Sequence, residues 1–499
     1  MSQAPRYVIE TFGCQMNVHD SQRMEDALRA HGWVAAEGEH DADLIVLNTC
    51  SVREKAEHKL RSEVGRLRPL KRGRPDLVVA VAGCVAQQEG EKLLRAIPHL
   101  DVVVGPDNLA ELPLLAETIR NGGPPVARTV FDLDRPTFLS GGTHEAVHEK
   151  GVCAFVTTMK GCDERCSFCV VPYTRGPERY RPLDEIVDEV RTLVARGVRE
   201  VTLLGQTVNS WMPPEVLDVS TSSHDQSPSM RASSSHFATL LRTIAREVPA
   251  LGRLRYTSPH PRHLTAELID AHGELPVLAR HLHLPVQSGS DRMLKRMIRR
   301  YTREAYLERV NALRARVPGL TLSTDVIVGF PGETDDDFAH TLSLVREAGF
   351  VALFGFKFSP RPFTPALKLA DDVPEAVKDE RLAALFAAVA VQQQAHLASL
   401  VDSTVTVLIE GESRPNLTRQ AKFPTRVMGR TERNEIVHLD VQAGRDPSPL
   451  VGRFLEVRVS QANAHSLVGA LAEADVRDLP EARAEPPKAR RSLTIVSEG

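Results

Sequence analysis

Gly161-Cys162-Asp163-Glu164-Arg165-Cys166-Ser167-Phe168-Cys169 packs three thiols into one short stretch. Any fold this chain adopts must gather those sulfurs around one metal group. Three thiolates can hold three irons of a four-iron cluster and leave the fourth iron open to another ligand. The alternative is zinc, but structural zinc closes four ligands. The nearest extra candidates, His148 and Cys153, precede the motif at awkward spacing.

The chain has 499 residues, 42% hydrophobic and 25% charged, an ordinary globular composition with room for about two to four domains. Net charge is -3, which excludes a polycation, so a nucleic-acid partner must be met by local patches. Seven cysteines, most in ligand positions, suit a reducing compartment. Met1–Glu10 lacks the basic and apolar regions of a secretory signal. The longest apolar run, Leu77–Ala86, is too short to span a bilayer. The expectation is a cytoplasmic, monomeric enzyme without membrane contact.

Residues 5–120 alternate short apolar runs with amphipathic stretches, as in a parallel-sheet α/β domain. Residues 121–147, with Gly-Gly and Pro-Pro pairs, read as a linker. Residues 148–378 repeat the strand–helix alternation six times, which predicts a partial, TIM-like (β/α)6 barrel. Residues 212–236, rich in Ser, Pro and Asp, interrupt it as a flexible insertion. Residues 398–470 alternate like strands of a small antiparallel β-barrel, and 475–499 read as a disordered tail.

Cys14, Cys50 and Cys84 look scattered, yet each lies just past the carboxyl end of an expected N-terminal strand. In a parallel sheet those ends share one edge, where ligands bind. The three thiols should therefore converge and hold a second cluster with an open iron. The bland alternative is three unrelated buried cysteines. Cys153 has no such company and reads as a core residue.

Thr11-Phe12-Gly13-Cys14-Gln15-Met16-Asn17, Asn48-Thr49-Cys50-Ser51-Val52-Arg53, Ala82-Gly83-Cys84 and the stretch from Gly161 through Cys169-Val170-Val171-Pro172-Tyr173-Thr174-Arg175-Gly176 resemble the methylthiotransferase family of radical S-adenosylmethionine (SAM) enzymes. The resemblance covers about residues 5–470, in the family's order of parts: cluster domain, radical SAM barrel, TRAM domain. Asn48-Thr49-Cys50-Ser51-Val52-Arg53-Glu54 and Leu284-Pro285-Val286-Gln287-Ser288-Gly289-Ser290 resemble the tRNA-modifying branch more than the branch acting on a ribosomal protein aspartate. The 212–236 insertion departs from the compact family pattern.

The resemblance implies two [4Fe-4S] clusters, on Cys14/Cys50/Cys84 and Cys162/Cys166/Cys169. One SAM would donate a methyl group and another a radical, so that a methylthio group replaces hydrogen on C2 of N6-isopentenyladenosine at position 37 of a tRNA anticodon loop. An aromatic C–H has no acidity that a side-chain base could exploit near pH 7. A low-potential electron donor and a sulfur donor are implied partners. Gly205, Gln206, Ser258, Gln287, Ser288, Gly289 and Gly329, all just past barrel strands, are implied to surround SAM. Other readings are a methylthiotransferase for threonylcarbamoyl-adenosine or a ribosomal protein, or a zinc-stabilised RNA-binding protein.

Two basic stretches suggest phosphate contacts. Residues 52–74 hold nine Lys/Arg against three Glu, and residues 292–303 hold six Lys/Arg and no acid. A solvated helix face explains either run equally simply. A target adenine must leave its stack to reach the clusters.

Overall fold

A computed structural model describes residues 4–51, 54–133, 138, 151–216, 235–413, 426–441, 445–472, 475 and 479–480. The N-terminal part contains β1 (Arg6–Phe12), α1 (Gln15–Ala30), β2 (Val34–Ala35), β3 (Leu44–Thr49), α2 (Glu54–Gly73), β4 (Val78–Gly83), α3 (Cys84–Glu89), α4 (Glu91–Ala96), β5 (Val102–Val104), α5 (Leu112–Arg120) and β6 (Val126–Arg128). The strands form one parallel sheet in the order β2-β1-β3-β4-β5-β6. β3 and β4 are buried at every position, as unbroken apolar runs covered on both faces must be. One apolar cluster, with Tyr7, Met24 and Trp33, packs on one face, and a second, with Phe12, Leu60 and Leu67, on the other.

The sheet runs further than the sequence suggests. β6 lies inside the stretch expected to be linker and pairs with β5. Gly122, Gly123, Pro124 and Pro125 are the turn that returns the chain to the sheet.

The central part contains β7 (Cys153–Thr157), β8 (Met159–Lys160), α6 (Val171–Thr174), β9 (Arg179–Tyr180), α7 (Leu183–Ala195), β10 (Glu200–Leu204), α8 (His236–Glu247), β11 (Arg253–Tyr256), α9 (Ala266–Glu274), β12 (His281–His283), α10 (Asp291–Arg296), α11 (Arg303–Arg316), β13 (Thr321–Val328), α12 (Asp335–Ala348), β14 (Ala352–Lys357) and α13 (Glu375–Ser399). β11-β10-β7 and β12-β13-β14 are two parallel three-stranded sheets joined by a bridge between Leu254 and Leu278. Each of β7 and β14 is paired on one side among the described residues, so the barrel is partial, as expected. Most of the 212–236 insertion, residues 217–234, and most of the tail lie outside the described residues. Ser235, at the insertion's end, caps α8 by accepting a hydrogen bond from the Ala238 amide.

β15 (Thr404–Glu412), β16 (Arg426–Thr431), β17 (Ile436–Asp440), β18 (Phe454–Ala462) and β19 (Leu467–Ala470) close a small barrel in the order β15-β16-β17-β19-β18. Its turn after β16 docks on the amino-terminal end of the central barrel. Arg253 donates to the Arg430 carbonyl at 3.1 Å, Arg255 to the Thr431 carbonyl at 2.8 Å, and Thr321 to the Arg433 carbonyl at 3.0 Å. The opposite, carboxyl-terminal end of the strands stays free for chemistry.

Candidate active site

Cys14, Cys50 and Cys84 meet at one edge of the N-terminal sheet. Thr49 on β3 stands beside Phe12 on β1 and Gly83 on β4. Cys50 and Cys84 each follow their strand by one residue, and Cys14 follows by two. The Cys50 amide donates to the Phe12 carbonyl at 3.0 Å, which ties the two turns together. Gly13 has no substitute here: a Cβ on it would lie 2.6 Å from the Cys50 Cβ, and its φ is +154°. The asparagines of the same motifs brace the turns. Asn17 donates to the Asn48 side chain and to the Thr49 carbonyl, Asn48 donates back to the Asn17 carbonyl, and Cys14 donates to Asn17 at 3.3 Å.

Electrostatics act on two thiols of this set in opposite directions. A hydrogen bond from Cys50 lowers the Cys14 pKa to about 6 against burial, with help from the Arg175 charge. Burial raises Cys84, and Arg175 opposes that rise. Thiolate is the ligand form, so depressed pKa values favour metal binding.

Cys162, Cys166 and Cys169 lie on the loop after β8, over the carboxyl ends of the barrel strands. Gly161 opens the loop at φ +76°, and a Cβ there would sit 1.9 Å from the Pro177 carbonyl oxygen. Cys162 Sγ lies 3.0 Å from Thr207 Oγ1, and Arg299 donates to Cys166 Sγ at 3.3 Å. The Ser167 amide donates to the Met297 carbonyl, and its hydroxyl to the Arg296 carbonyl. Burial raises Cys162, and it pushes Cys169 up to about 12, Cys166 adding to the effect. These thiols stay protonated until a metal displaces the protons.

The two sets face each other. α3, which begins at Cys84, packs against α6, which follows Cys169. Cys84 is among the charges acting on Cys169. Arg175, on the second loop, is buried and pairs with Asp20 of α1 at 2.5 Å while its charge acts on both Cys14 and Cys84. Around this seam, Arg23 and Arg181 both pair with the buried Glu189.

Zinc and iron–sulfur each require a different donor set. Zinc binds sulfur at about 2.3 Å and would draw its sulfurs to within about 3.8 Å of each other. Among the described residues, the ligand atoms that gather in threes within 4.8 Å are those of Glu164, His260 and His263. The three thiols of each set are the donors that a four-iron cluster with one open corner takes.

The residues expected around SAM divide into two groups. Gly205 and Gln206 follow β10 directly, and both polar side-chain atoms of Gln206 are buried without a partner. A bound polar group would satisfy them, which fits the amino and carboxylate groups of SAM. Ser258 and Gln287 have left-handed φ values of 60° and 72° at the ends of their strands. Ser288, Gly289 and Gly329 make contacts within the chain. Ser288 and the Gly289 amide bond Thr341 on α12, and a Cβ on Gly329 would lie 2.4 Å from Lys378.

Other residues depart from the sequence reading or were not foreseen by it. Cys153 is exposed rather than part of the core, because it opens the edge strand β7. Part of the basic stretch after residue 52 is paired within the chain: Arg66 with Glu39 and Glu63, Lys71 with Asp101, and Arg74 with Asp43, while Arg68 and Arg72 are exposed. In the second stretch Arg292 pairs with Asp337, Arg303 with Glu347, and Arg299 serves the cluster loop, while Lys295 and Arg300 stay exposed. Sequence reasoning missed Thr207, Arg299 and Glu164. Glu164 accepts from His263 at 2.7 Å, while its Oε2, 3.7 Å from Arg262 and 3.8 Å from His260 Nε2, makes no hydrogen bond.

A family model described as Uncharacterized protein family UPF0004 matches residues 6–105, the Radical SAM superfamily matches 156–345, and the TRAM domain matches 398–472. A curated relative from Sorangium cellulosum, named tRNA-2-methylthio-N(6)-dimethylallyladenosine synthase, is 58% identical, covering 99% of this chain and 99% of its own. A relative of the same name from Bordetella petrii is 43% identical over 95% of this chain and 92% of its own. Among solved structures, the radical S-adenosylmethionine methyltransferase TsrM from Kitasatospora setae, with cobalamin and a [4Fe-4S] cluster bound, shares the fold at TM-score 0.51 and 16% identity, over 73% of this chain and 74% of its own.

Proposed function

This chain belongs to the family of tRNA-2-methylthio-N(6)-dimethylallyladenosine synthases, which are radical SAM enzymes, and from that membership we propose that it places a methylthio group on C2 of N6-dimethylallyladenosine at position 37 of tRNA. The observation that carries this reading is the meeting of two three-thiol sets across one seam, where α3, which begins at Cys84, packs on α6, just after Cys169, and Arg175 pairs with Asp20. Cys14, Cys50 and Cys84 would hold one [4Fe-4S] cluster, and Cys162, Cys166 and Cys169 the other. When bound, the clusters and SAM supply the radical chemistry and the methyl group that an aromatic C–H demands.

The chain's own residues do the rest. Gln206 presents its amide to SAM. Arg299 and Thr207 hydrogen-bond two cluster sulfurs and fix the loop that carries them. The buried Asp20–Arg175 pair holds the two thiol sets in register. The C-terminal barrel braces the far end of the strands and leaves the reacting end open to an RNA loop. No helix among the described residues is long and apolar enough to cross a membrane, and we place the reaction with its tRNA in the cytoplasm, supplied by a low-potential electron donor and a sulfur donor.

The test is anaerobic reconstitution with iron and sulfide. The protein is then incubated with SAM, a low-potential reductant and a stem-loop RNA bearing N6-dimethylallyladenosine. Nucleoside mass spectrometry should detect the 2-methylthio product. Its absence from a preparation carrying about eight irons per chain would refute the reading.

A further inference from the structure

The inner face of the partial barrel carries an aromatic wall that the cysteine chemistry does not use. In register, Phe354 of β14 stands beside Asp325 of β13, and Phe356 beside Ile327. Neighbours in register share a face of a parallel sheet. The other face of β14 packs outward: a Cβ on Gly355 would lie 2.6 Å from Leu382 of α13, and Lys357 pairs with Glu375 and Asp379 of the same helix. Phe354 and Phe356 therefore point inward, yet they remain 48% and 38% exposed. Two large inward phenyls left uncovered on a folded chain mark a surface that a ligand covers.

Position says which ligand. Ile327, the neighbour of Phe356, packs in one apolar cluster with Phe358, Phe330 and Phe168, and Phe168 lies inside the cysteine loop itself. Phe356 is one strand repeat from Phe358, about 7 Å along β14. The wall thus begins directly beneath the cluster loop and runs down to Phe354, whose ring meets His283 at 5.7 Å. His283 in turn lies 3.4 Å from Asp325. The cations of this inner face, Arg253 and Arg255, lie at its other end, held by Glu200 and by carbonyls of the small barrel. The wall offers apolar surface and one carboxylate.

We propose that Phe354 and Phe356 form the site for the dimethylallyl group of the target adenosine. This rests on the reading that the substrate is a prenylated adenosine, and it adds the residues that recognise the prenyl group. A five-carbon alkenyl chain is apolar and uncharged, so it gains from phenyl contact and loses nothing near Asp325. A threonylcarbamoyl group carries a carboxylate, which the phenyl wall would strip of water without supplying a partner, His283 being already engaged by Asp325. The wall therefore selects the prenyl substrate over the threonylcarbamoyl one.

The experiment measures binding by fluorescence anisotropy with the reconstituted full chain. Three stem-loop RNAs of one sequence are used, with adenosine, N6-dimethylallyladenosine or N6-threonylcarbamoyladenosine at the target position. The wild type should bind the dimethylallyl RNA at least about tenfold tighter than the other two. Phe356→Ala and Phe354→Ala should each remove most of that preference and leave affinity for unmodified RNA unchanged. Phe356→Leu, which keeps apolar bulk, should retain part of it. The proposal is overturned if the wild type binds all three RNAs alike, or if the alanine variants weaken all three equally. Failure of the broader reading looks different: the wild type then forms no 2-methylthio product from any of the RNAs.

Discussion

Asp20→Ala tests how the two halves of the site are held together. Asp20 is 6% exposed and Arg175 4% exposed, and the pair spans the seam between α1 and the second cysteine loop at 2.5 Å. Removing the carboxylate strands a buried guanidinium, at a cost of about 3–5 kcal/mol. A domain of this size shifts its midpoint by about 3 °C per kcal/mol, so the N-terminal transition should fall by about 10 °C in scanning calorimetry of the metal-free chain. Asp20→Ala combined with Arg175→Met should recover most of that loss, because no charge is left unpaired. The double variant should still lack activity, since the register of the thiol sets goes with the pair. A single variant that loses less than about 0.5 kcal/mol, the range of ordinary surface changes, would refute this reasoning. So would a double variant no more stable than the single one.

Cys14→Ala and Cys162→Ala should each bind about four irons per chain after reconstitution, against about eight for the wild type, as iron and sulfide analysis reads. Gln206→Ala should keep full iron content and bind SAM about tenfold more weakly by calorimetry, since its amide loses a charge-assisted hydrogen bond. Gly161→Ala, which drives a Cβ to 1.9 Å from the Pro177 oxygen, should lose the second cluster and keep the first. Burial lowers His272 to about 4 from its usual 6.5. Below pH 6.5 the unfolded chain takes a proton that the folded core refuses, so stability should be complete above 6.5 and fall as pH drops toward 4. Replacing it in His272→Gln should make the fall of denaturation midpoints across that window shallower, the remainder coming from the other buried histidines, His19, His260 and His281.

The gathering of Cys162, Cys166 and Cys169 on one loop was legible because its spacing is local, and the placement of Cys14, Cys50 and Cys84 because strand ends are marked by apolar runs that stop at Gly or Thr. β6 was not legible: three residues after a Gly-Gly-Pro-Pro turn carry too little pattern, and pairing with β5 makes them a strand. In the basic stretch after residue 52 the sequence shows charges but not partners, and Glu39, Asp43 and Asp101 come from distant turns. Ser288 and Gly289 sit in the expected loop, yet Thr341 claims them from a helix far along the chain. Arg299 and Thr207 reach the cluster sulfurs through tertiary contacts that no motif announces.

Electron paramagnetic resonance of the fully reduced protein weighs the shared seam most directly. With both clusters reduced, the spectrum should show spin–spin interaction that is missing from the Cys14→Ala and Cys162→Ala variants. A wild-type spectrum equal to the sum of the two variants' spectra would mean that the metal centres stand apart, and would contradict the account.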